Sequence, residues 1–172
     1  LAADIEFGGV PIASATASGW NGHVRTKVDL LSTAVTPRGI KLWSPENPDL
    51  YDLTLRLVRD GETVDEVLSY FGMREIRIDG DKILLNGVPL YQRLILDQGY
   101  WRDSHLTPPS EEALIEDIDK IRAMGYNGVR KHQKVEDPRF LYHADRLGLL
   151  VWGEMANAYV FSGRYVRRFT AE

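Results

Sequence analysis

The sequence predicts a mixed fold, in which a partial antiparallel β-sandwich over residues 1–79 is followed by a parallel sheet with crossover helices over residues 80–172. In the first part, short runs of alternating apolar and polar residues lie between turn residues, which is typical of antiparallel strands. In the second part, continuous apolar runs alternate with capped helical segments, which is typical of a parallel sheet. A length of 172 residues is compatible with two small domains.

Five segments of the first part show the periodicity of strands. They are residues 12–17, 24–31, 51–59, 62–71 and 74–79. The clearest is 51–59, in which three leucines alternate with polar residues and therefore lie on one face. Asp60-Gly61 predicts a hairpin turn between the two longest segments. A seven-strand sandwich needs roughly 100 residues, so we expect only part of one here.

The second part is predicted to open with a hairpin over residues 82–90, because Asn86-Gly87 is a favoured turn dipeptide. Continuous apolar runs then predict buried parallel strands. There are three of these runs, at residues 94–97, 128–131 and 149–152.

The segments between these strands carry the end signals of helices. Ser110 and Asp137 can each accept a hydrogen bond from the first turn of a helix. Gly125 and Gly148 end the two helices, because glycine adopts the left-handed conformation without a steric penalty. A third helix is predicted within residues 157–169. This strand–helix alternation implies right-handed crossover connections.

Polar and aromatic residues follow each predicted parallel strand. In an α/β barrel the carboxyl ends of the strands form the active face, so three successive strands that present such residues there indicate a site. The candidates for substrate binding or support of an active site are Asp97, Trp101, Lys131, His132 and Glu154.

Composition argues against several classes of function. Lys and Arg number 21 and Asp and Glu number 25, and the net charge of −4 makes nucleic acid a poor partner. No apolar run approaches the roughly 20 residues of a membrane span, so no membrane partner is expected. The chain has no cysteine, and the spacing of His23, His105 and His143 is not that of metal ligands. We therefore expect no metal and no cofactor, and leave homo-oligomer formation open.

Five segments resemble glycoside hydrolase family 2. Residues 42–51 read LWSPENPDLY and are similar to the family's LWSPENPxLY segment. Residues 70–74, 84–89, 127–130 and 145–152 resemble, in the same order, the family's FGxR, LNGxP, NxVR and DxLGLLVW motifs. Each match is modest alone, but their common order over most of the chain is specific.

The resemblance implies a fold and an activity. Residues 1–79 would be part of an immunoglobulin-like β-sandwich, and residues 80–172 the first three βα units of a (β/α)8 TIM barrel. Beta-galactosidases, beta-glucuronidases and beta-mannosidases share this layout, so the implied function is retaining hydrolysis of an oligosaccharide or glycoside. The family's acid/base glutamate follows an asparagine after strand four, and its nucleophile comes later. This chain has no Asn-Glu pair, so the resemblance implies no catalytic residue within it and an inactive fragment.

One departure from the family affects the expected substrate. Many members carry RTSHYP after the second barrel strand, whereas residues 130–135 here read RKHQKV. The family's histidine aligns with Gln133, and His132 falls one place earlier. The chain therefore resembles a distinct branch, and galactose specificity does not follow from the resemblance.

Several alternatives remain open at the level of sequence. Glu154 could line a sugar subsite, cap a helix or pair with Lys131, and His132 could bind sugar or serve a structural hydrogen bond. A catalytic pair of Asp97 and Glu154 is disfavoured, because retaining enzymes need carboxyl groups about 5–5.5 Å apart and the resemblance assigns neither residue to chemistry. Trp152 is predicted in the core, while Trp101 could stack on a sugar. The alternative function is a noncatalytic carbohydrate-binding or protein-interaction module; sugar identity and compartment stay open.

Overall fold

The computed structural model describes residues 1–19, 22–30 and 39–171. Contacts between Cα atoms divide the chain into two compact units. The first unit comprises Leu1–Ile78 with Leu84–Val88, and the second comprises Asp79–Ile83 with Pro89–Glu172.

The first unit contains a four-stranded antiparallel sheet in the order β2-β1-β3-β4. Its strands are β1 (Ala2–Phe7), β2 (Val10–Thr16), β3 (Tyr51–Arg59) and β4 (Glu62–Phe71). The last two confirm the predicted segments and their hairpin. The turn between them has positive φ at both Asp60 (53°) and Gly61 (87°), which matches the twist of the flanking strands.

One expectation for the first unit is wrong. The segment 24–31 was expected to be a strand, but residues 24–30 have no strand structure, and Leu31 lies outside the described residues. Leu30 is nevertheless buried in the core, together with Ile5, Ile12 and Tyr51. Its apolar character therefore reflects burial without strand pairing.

A small sheet in the order β5-β6-β7 follows the first sheet. It consists of β5 (Ile76–Asp79), β6 (Lys82–Leu85) and β7 (Val88–Pro89). Asn86 turns the predicted hairpin with a φ of 53°. Its side chain accepts a 3.0 Å hydrogen bond from the Glu75 N–H and donates one of 3.0 Å to the carbonyl of the buried Trp43. Asn86 thus joins the motif segments 84–89 and 42–51, and also binds the residue that follows the segment 70–74.

The second unit is built on three parallel strands in the order β10-β9-β8. They are β8 (Leu94–Asp97), β9 (Gly128–Lys131) and β10 (Leu150–Trp152). The helices are α1 (Glu111–Ala123), α2 (Pro138–Leu147) and α3 (Gly163–Ala171). The parallel direction of the three predicted strands is therefore confirmed. No helix in the described part of the chain is long and apolar enough to cross a membrane.

The helix ends form as the sequence predicts. The Ser110 hydroxyl accepts a 3.2 Å hydrogen bond from the Ala113 N–H, and the Asp137 carboxylate accepts one of 2.9 Å from the Arg139 N–H. Gly148 ends α2 in the left-handed conformation, with a φ of 76°. These caps satisfy backbone groups that have no partner inside the helix.

The two faces of the parallel sheet have different environments. Side chains of α1 and α2 pack on one face around Val129, which is fully buried with Ile118 and Phe140. On the other face, Leu96 and Trp152 are 59% and 50% exposed. The prediction that Trp152 lies in the core is therefore wrong. We call the exposed side of this sheet the open face.

Candidate functional site

Two groups of polar side chains lie at the carboxyl edge of the parallel sheet. The first, the buried ion cluster, consists of Asp97, Lys131, Lys134 and Glu136. The second, the edge cluster, consists of Gln98, Arg130, His132, Gln133 and Glu154.

Strand register forms the buried ion cluster. Asp97 pairs with Lys131 across the ends of β8 and β9, so their side chains lie on the same face as Val129. The Lys131 side chain is 2% exposed; its ammonium pairs with Asp97 and, at 2.8 Å, with Glu136. The same ammonium lies 3.8 Å from the centre of the Phe140 ring, which favours the cation further.

Lys134 and Glu136 extend this cluster into the loop before α2. The Lys134 ammonium lies 3.0 Å from Glu136 and donates hydrogen bonds to the carbonyls of Gly99 (3.4 Å) and Leu106 (3.0 Å). Its side chain is only 17% exposed. Lys134 is therefore a largely buried, paired cation and not a solvated surface charge.

Two carboxyl groups near the cluster have shifted pKa values. Burial alone would raise the pKa of Glu136, but hydrogen bonds from Lys131, from the Asp137 backbone and from Lys134 outweigh it, so its pKa lies below the ordinary value. Burial, and then the charge of Asp97, raise the pKa of Asp117 on α1. Glu136 is thus held as an anion, while Asp117 is disfavoured as one.

The edge cluster is centred on Glu154, just beyond β10. Its carboxylate accepts a 2.5 Å hydrogen bond from the Arg130 guanidinium and one of 2.9 Å from the Gln133 N–H. The Gln133 N–H, Arg130 and the neighbouring His132 all lower the pKa of Glu154. Nδ1 of His132 lies 2.7 Å from the side-chain amide of Gln98. Glu154 is therefore an ionised acceptor that holds a guanidinium at the edge.

Arg130 connects this cluster with the open face. Leu96 and Trp152 are its register partners on the two neighbouring strands, so the three side chains form a row across the sheet. Arg130 is exposed, Leu96 exposes more than half of its surface, and Trp152 exposes half. An aromatic ring beside a guanidinium and a carboxylate suits the apolar faces and hydroxyl edges of a sugar.

All five predicted site residues lie at or just beyond the carboxyl edge, but the structure does not bring them into one group. Asp97 and Lys131 belong to the buried ion cluster, and His132 and Glu154 to the edge cluster. Trp101 packs partly buried against the core, and its backbone pairs with that of His105. Their roles in binding stay predictions. The Lys131–Glu154 pair, one of the alternatives left open for Glu154, does not form: Glu154 pairs with Arg130, and Lys131 pairs with Asp97 and Glu136.

Five members of the two clusters are not among the predicted site residues: Gln98, Arg130, Gln133, Lys134 and Glu136. A signal existed for Arg130, because it alternates with Val129 on β9 and therefore points away from the helices. Glu136 and Gln98 lie in loops, where periodicity says nothing about direction. Among residues 1–19, 22–30 and 39–171, no group of three His, Asp or Glu side chains is arranged to hold a metal ion.

One family model and several known glycosidases are similar to this chain. The model described as glycosyl hydrolases family 2 matches residues 9–74. A curated relative from Formosa agariphila, assigned as a beta-glucuronidase, is 31% identical over 119 residues, which are 67% of this chain and 14% of that protein. A beta-galactosidase from Lactococcus lactis is 33% identical over 115 residues, which are 66% of this chain and 11% of that protein.

Solved structures agree with the sequence relatives. The apo structure of Bacteroides uniformis beta-glucuronidase 3 matches with a TM-score of 0.79 at 22% identity, over 97% of this chain and 21% of that one. At this identity the likeness shows the fold. Together, the family model, the curated relatives and the solved structures support the assignment of this chain to glycosyl hydrolases family 2. It spans 14% and 11% of the lengths of the two curated relatives.

Proposed function

We propose that this chain is part of a retaining glycoside hydrolase that acts on O-glycosyl bonds of an oligosaccharide or glycoside. In this proposal, residues 1–79 are part of an immunoglobulin-like sandwich and residues 80–172 supply the first three βα units of a TIM barrel. The match of residues 9–74 to the family 2 model and the beta-glucuronidase and beta-galactosidase relatives support the hydrolase class. The three parallel strands with α1 and α2 on one face support the barrel assignment.

The observation that carries the proposal is the edge cluster at the carboxyl ends of the three strands. Arg130 and Glu154 lie where strand-end residues of an α/β barrel contact substrate, and exposed Trp152 lies beside them. A guanidinium and a carboxylate can together donate to and accept from neighbouring sugar hydroxyls. We assign this cluster to sugar binding.

The protonation of Glu154 supports a binding role over an acid role. A general acid that protonates a leaving group needs a raised pKa, whereas Arg130 and the Gln133 N–H lower the pKa of Glu154. The carboxylate of Asp97 is engaged by Lys131 within the buried ion cluster. These contacts argue against a catalytic pair of Asp97 and Glu154, and we place both catalytic glutamates outside the 172 residues.

The test uses a longer polypeptide that contains this chain, together with the 172-residue chain itself. Each is incubated with a panel of nitrophenyl glycosides, with the beta-glucuronide and beta-galactoside first, and the anomer released is identified by NMR. We expect the longer polypeptide to release sugar with retained configuration and the 172-residue chain to release none.

Three results would contradict the proposal. Absence of turnover by the longer polypeptide on every glycoside would favour a noncatalytic carbohydrate-binding or interaction module. Release of the inverted anomer would exclude the retaining mechanism. Turnover by the 172-residue chain that disappears in Asp97→Ala or Glu154→Ala would restore the catalytic pair rejected above.

A further inference from the structure

The loop between β8 and α1 is tied to the buried ion cluster at two points. Lys134 donates to the carbonyl of Gly99 near the start of the loop and to that of Leu106 near its end. Asp97 of the same cluster accepts a 2.6 Å hydrogen bond from the Gly99 N–H. The loop, residues 98–107, is therefore held by side chains that belong to a different segment or to the strand before it.

Gly99 shows how closely this loop approaches the cluster. A Cβ atom added at Gly99 would lie 2.5 Å from the Lys134 ammonium and 2.8 Å from a Glu136 carboxylate oxygen. The φ of Gly99 is also 65°, a conformation that other residues adopt at a cost. The backbone at this position thus packs directly on two charged groups.

The cluster is itself fixed in place. Glu136 accepts from both Lys131 and Lys134, and its side chain is only 4% exposed. Lys131 lies on the strand β9 and packs over Phe140. The carboxylate of Glu136, itself fixed by the buried Lys131, therefore fixes the position of the Lys134 ammonium. From this position the ammonium binds the loop.

The loop in turn carries Gln98 to the edge cluster. Gln98, its first residue, contacts Nδ1 of His132 at 2.7 Å. Trp101 stands four residues before His105, and the two residues exchange backbone hydrogen bonds of 2.6 and 3.0 Å that close the loop on itself. A shift of residues 98–107 would move both Gln98 and Trp101.

We propose that Lys134 is a positioning residue, which ties the loop 98–107 to the buried ion cluster and thereby sets Gln98 within the edge cluster, where substrate binds. The part that concerns substrate rests on the proposed function. Lys134 itself acts through the loop, since its ammonium is already engaged by a carboxylate and two carbonyls.

The test compares Lys134→Met, which removes the ammonium, with Lys134→Arg, which retains a charged donor. Lys120→Met is the matched control, because Lys120 pairs on the helix surface with Glu116 and makes no bond to the loop. Hydrogen exchange of the amides in 98–107 is measured by mass spectrometry on the full chain. We expect exchange to be roughly tenfold faster in Lys134→Met and near wild type in the other two.

Gly99→Ala attacks the same contact from the loop side and should also speed exchange in 98–107. In the longer polypeptide, we expect Lys134→Met to raise KM for the hydrolysed glycoside by roughly three- to tenfold with kcat within about twofold, and Lys134→Arg to restore it. A merely structural residue would not give this split, because partial unfolding lowers the amount of active enzyme and leaves KM unchanged.

Each outcome decides one part of the proposal. Unchanged exchange in both Lys134→Met and Gly99→Ala would overturn the tie between the cluster and the loop. Faster exchange with an unchanged KM would overturn the positioning of substrate. A wild-type polypeptide that hydrolyses no glycoside would refute the proposed function and the substrate role together, while the exchange data would still decide the tie.

Discussion

Replacement of Lys131 by Met tests the energetic importance of the buried ion cluster. The Lys131 side chain is 2% exposed and pairs with Asp97 and Glu136, whose side chains are 18% and 4% exposed. After Lys131→Met, Glu136 keeps its ion pair with Lys134, while Asp97 keeps the hydrogen bond from the Gly99 N–H but loses its cation. Methionine preserves much of the packing of the aliphatic stem, so the loss arises mainly from charge.

The expected magnitude follows from the burial of these groups. Removing one partner of a buried ion pair costs about 3–5 kcal/mol, because the remaining charge is left without compensation. We expect a value near the lower end, since Glu136 keeps Lys134 at 3.0 Å. The control Lys120→Met breaks an i,i+4 pair with Glu116 in which both side chains are about two-thirds exposed, and should cost only about 0.3–0.5 kcal/mol.

Urea unfolding followed by far-ultraviolet circular dichroism measures these losses. All three described helices belong to the second unit, so the helical signal reports on the unit that contains the cluster. We also expect Lys131→Met/Asp97→Asn to regain part of the lost stability, because Asp97 pairs with Lys131 whereas Glu136 keeps Lys134, so the second change removes the carboxylate that has lost its cation. A loss below about 1 kcal/mol in Lys131→Met would refute the assignment of a buried, energetically coupled cluster.

Three further predictions follow from caps, pKa shifts and packing. Asp137→Ala removes the cap of α2 and should cost about 1 kcal/mol. Hydrogen bonds from the Arg139 side chain and then from its backbone N–H lower the pKa of Asp137 from 3.8 to about 2. The stability that the Asp137 carboxylate contributes is therefore present above pH 3.8 and lost as the pH falls toward 2. In urea unfolding from pH 7 to pH 2, the stability of Asp137→Ala should converge on that of the wild type. Asp117→Asn should stabilise the fold at pH 7. The pKa of Asp117 is raised in the folded protein, so its ionisation opposes folding once the pH exceeds the pKa that Asp117 has in the unfolded chain. A lower urea midpoint for Asp117→Asn than for wild type would contradict this. Phe140→Ala, which empties a fully buried position, should cost about 3–5 kcal/mol by the same assay.

Local patterns predicted most strand and helix positions. The alternation within β3 and β4 fixes which residues face the core, and a two-residue turn leaves little freedom of register. The caps at Ser110 and Asp137 are bonds between residues two or three apart, so the sequence contains all the information they need. The segment 24–31 resembles a strand equally well but has no strand structure over 24–30, because pairing depends on a partner that local pattern does not specify.

The sequence predicts that the site residues lie at the carboxyl edge of the parallel sheet, but it does not predict their division into two clusters. That Asp97 and Lys131 end adjacent parallel strands followed from the apolar runs. The strand register decides which face of the sheet Asp97 and Lys131 occupy. The path of the chain between β9 and α2 decides that Glu136 joins them. Trp152 differs from its prediction for a related reason. A continuous apolar strand predicts burial on both faces of the sheet, whereas α1 and α2 pack on only one face and leave Trp152 half exposed on the other.

The most direct test of the account is the effect of Glu154→Gln on glycoside hydrolysis by a longer polypeptide that contains this chain. The change removes a charge that holds Arg130 and leaves an amide of nearly the same shape. Glu116→Gln, on the exposed surface of α1, is the matched control. We predict that Glu154→Gln lowers kcat/KM by at least roughly tenfold while the control leaves it unchanged. Equal kcat/KM for Glu154→Gln and wild type would contradict the assignment of the edge cluster to substrate binding.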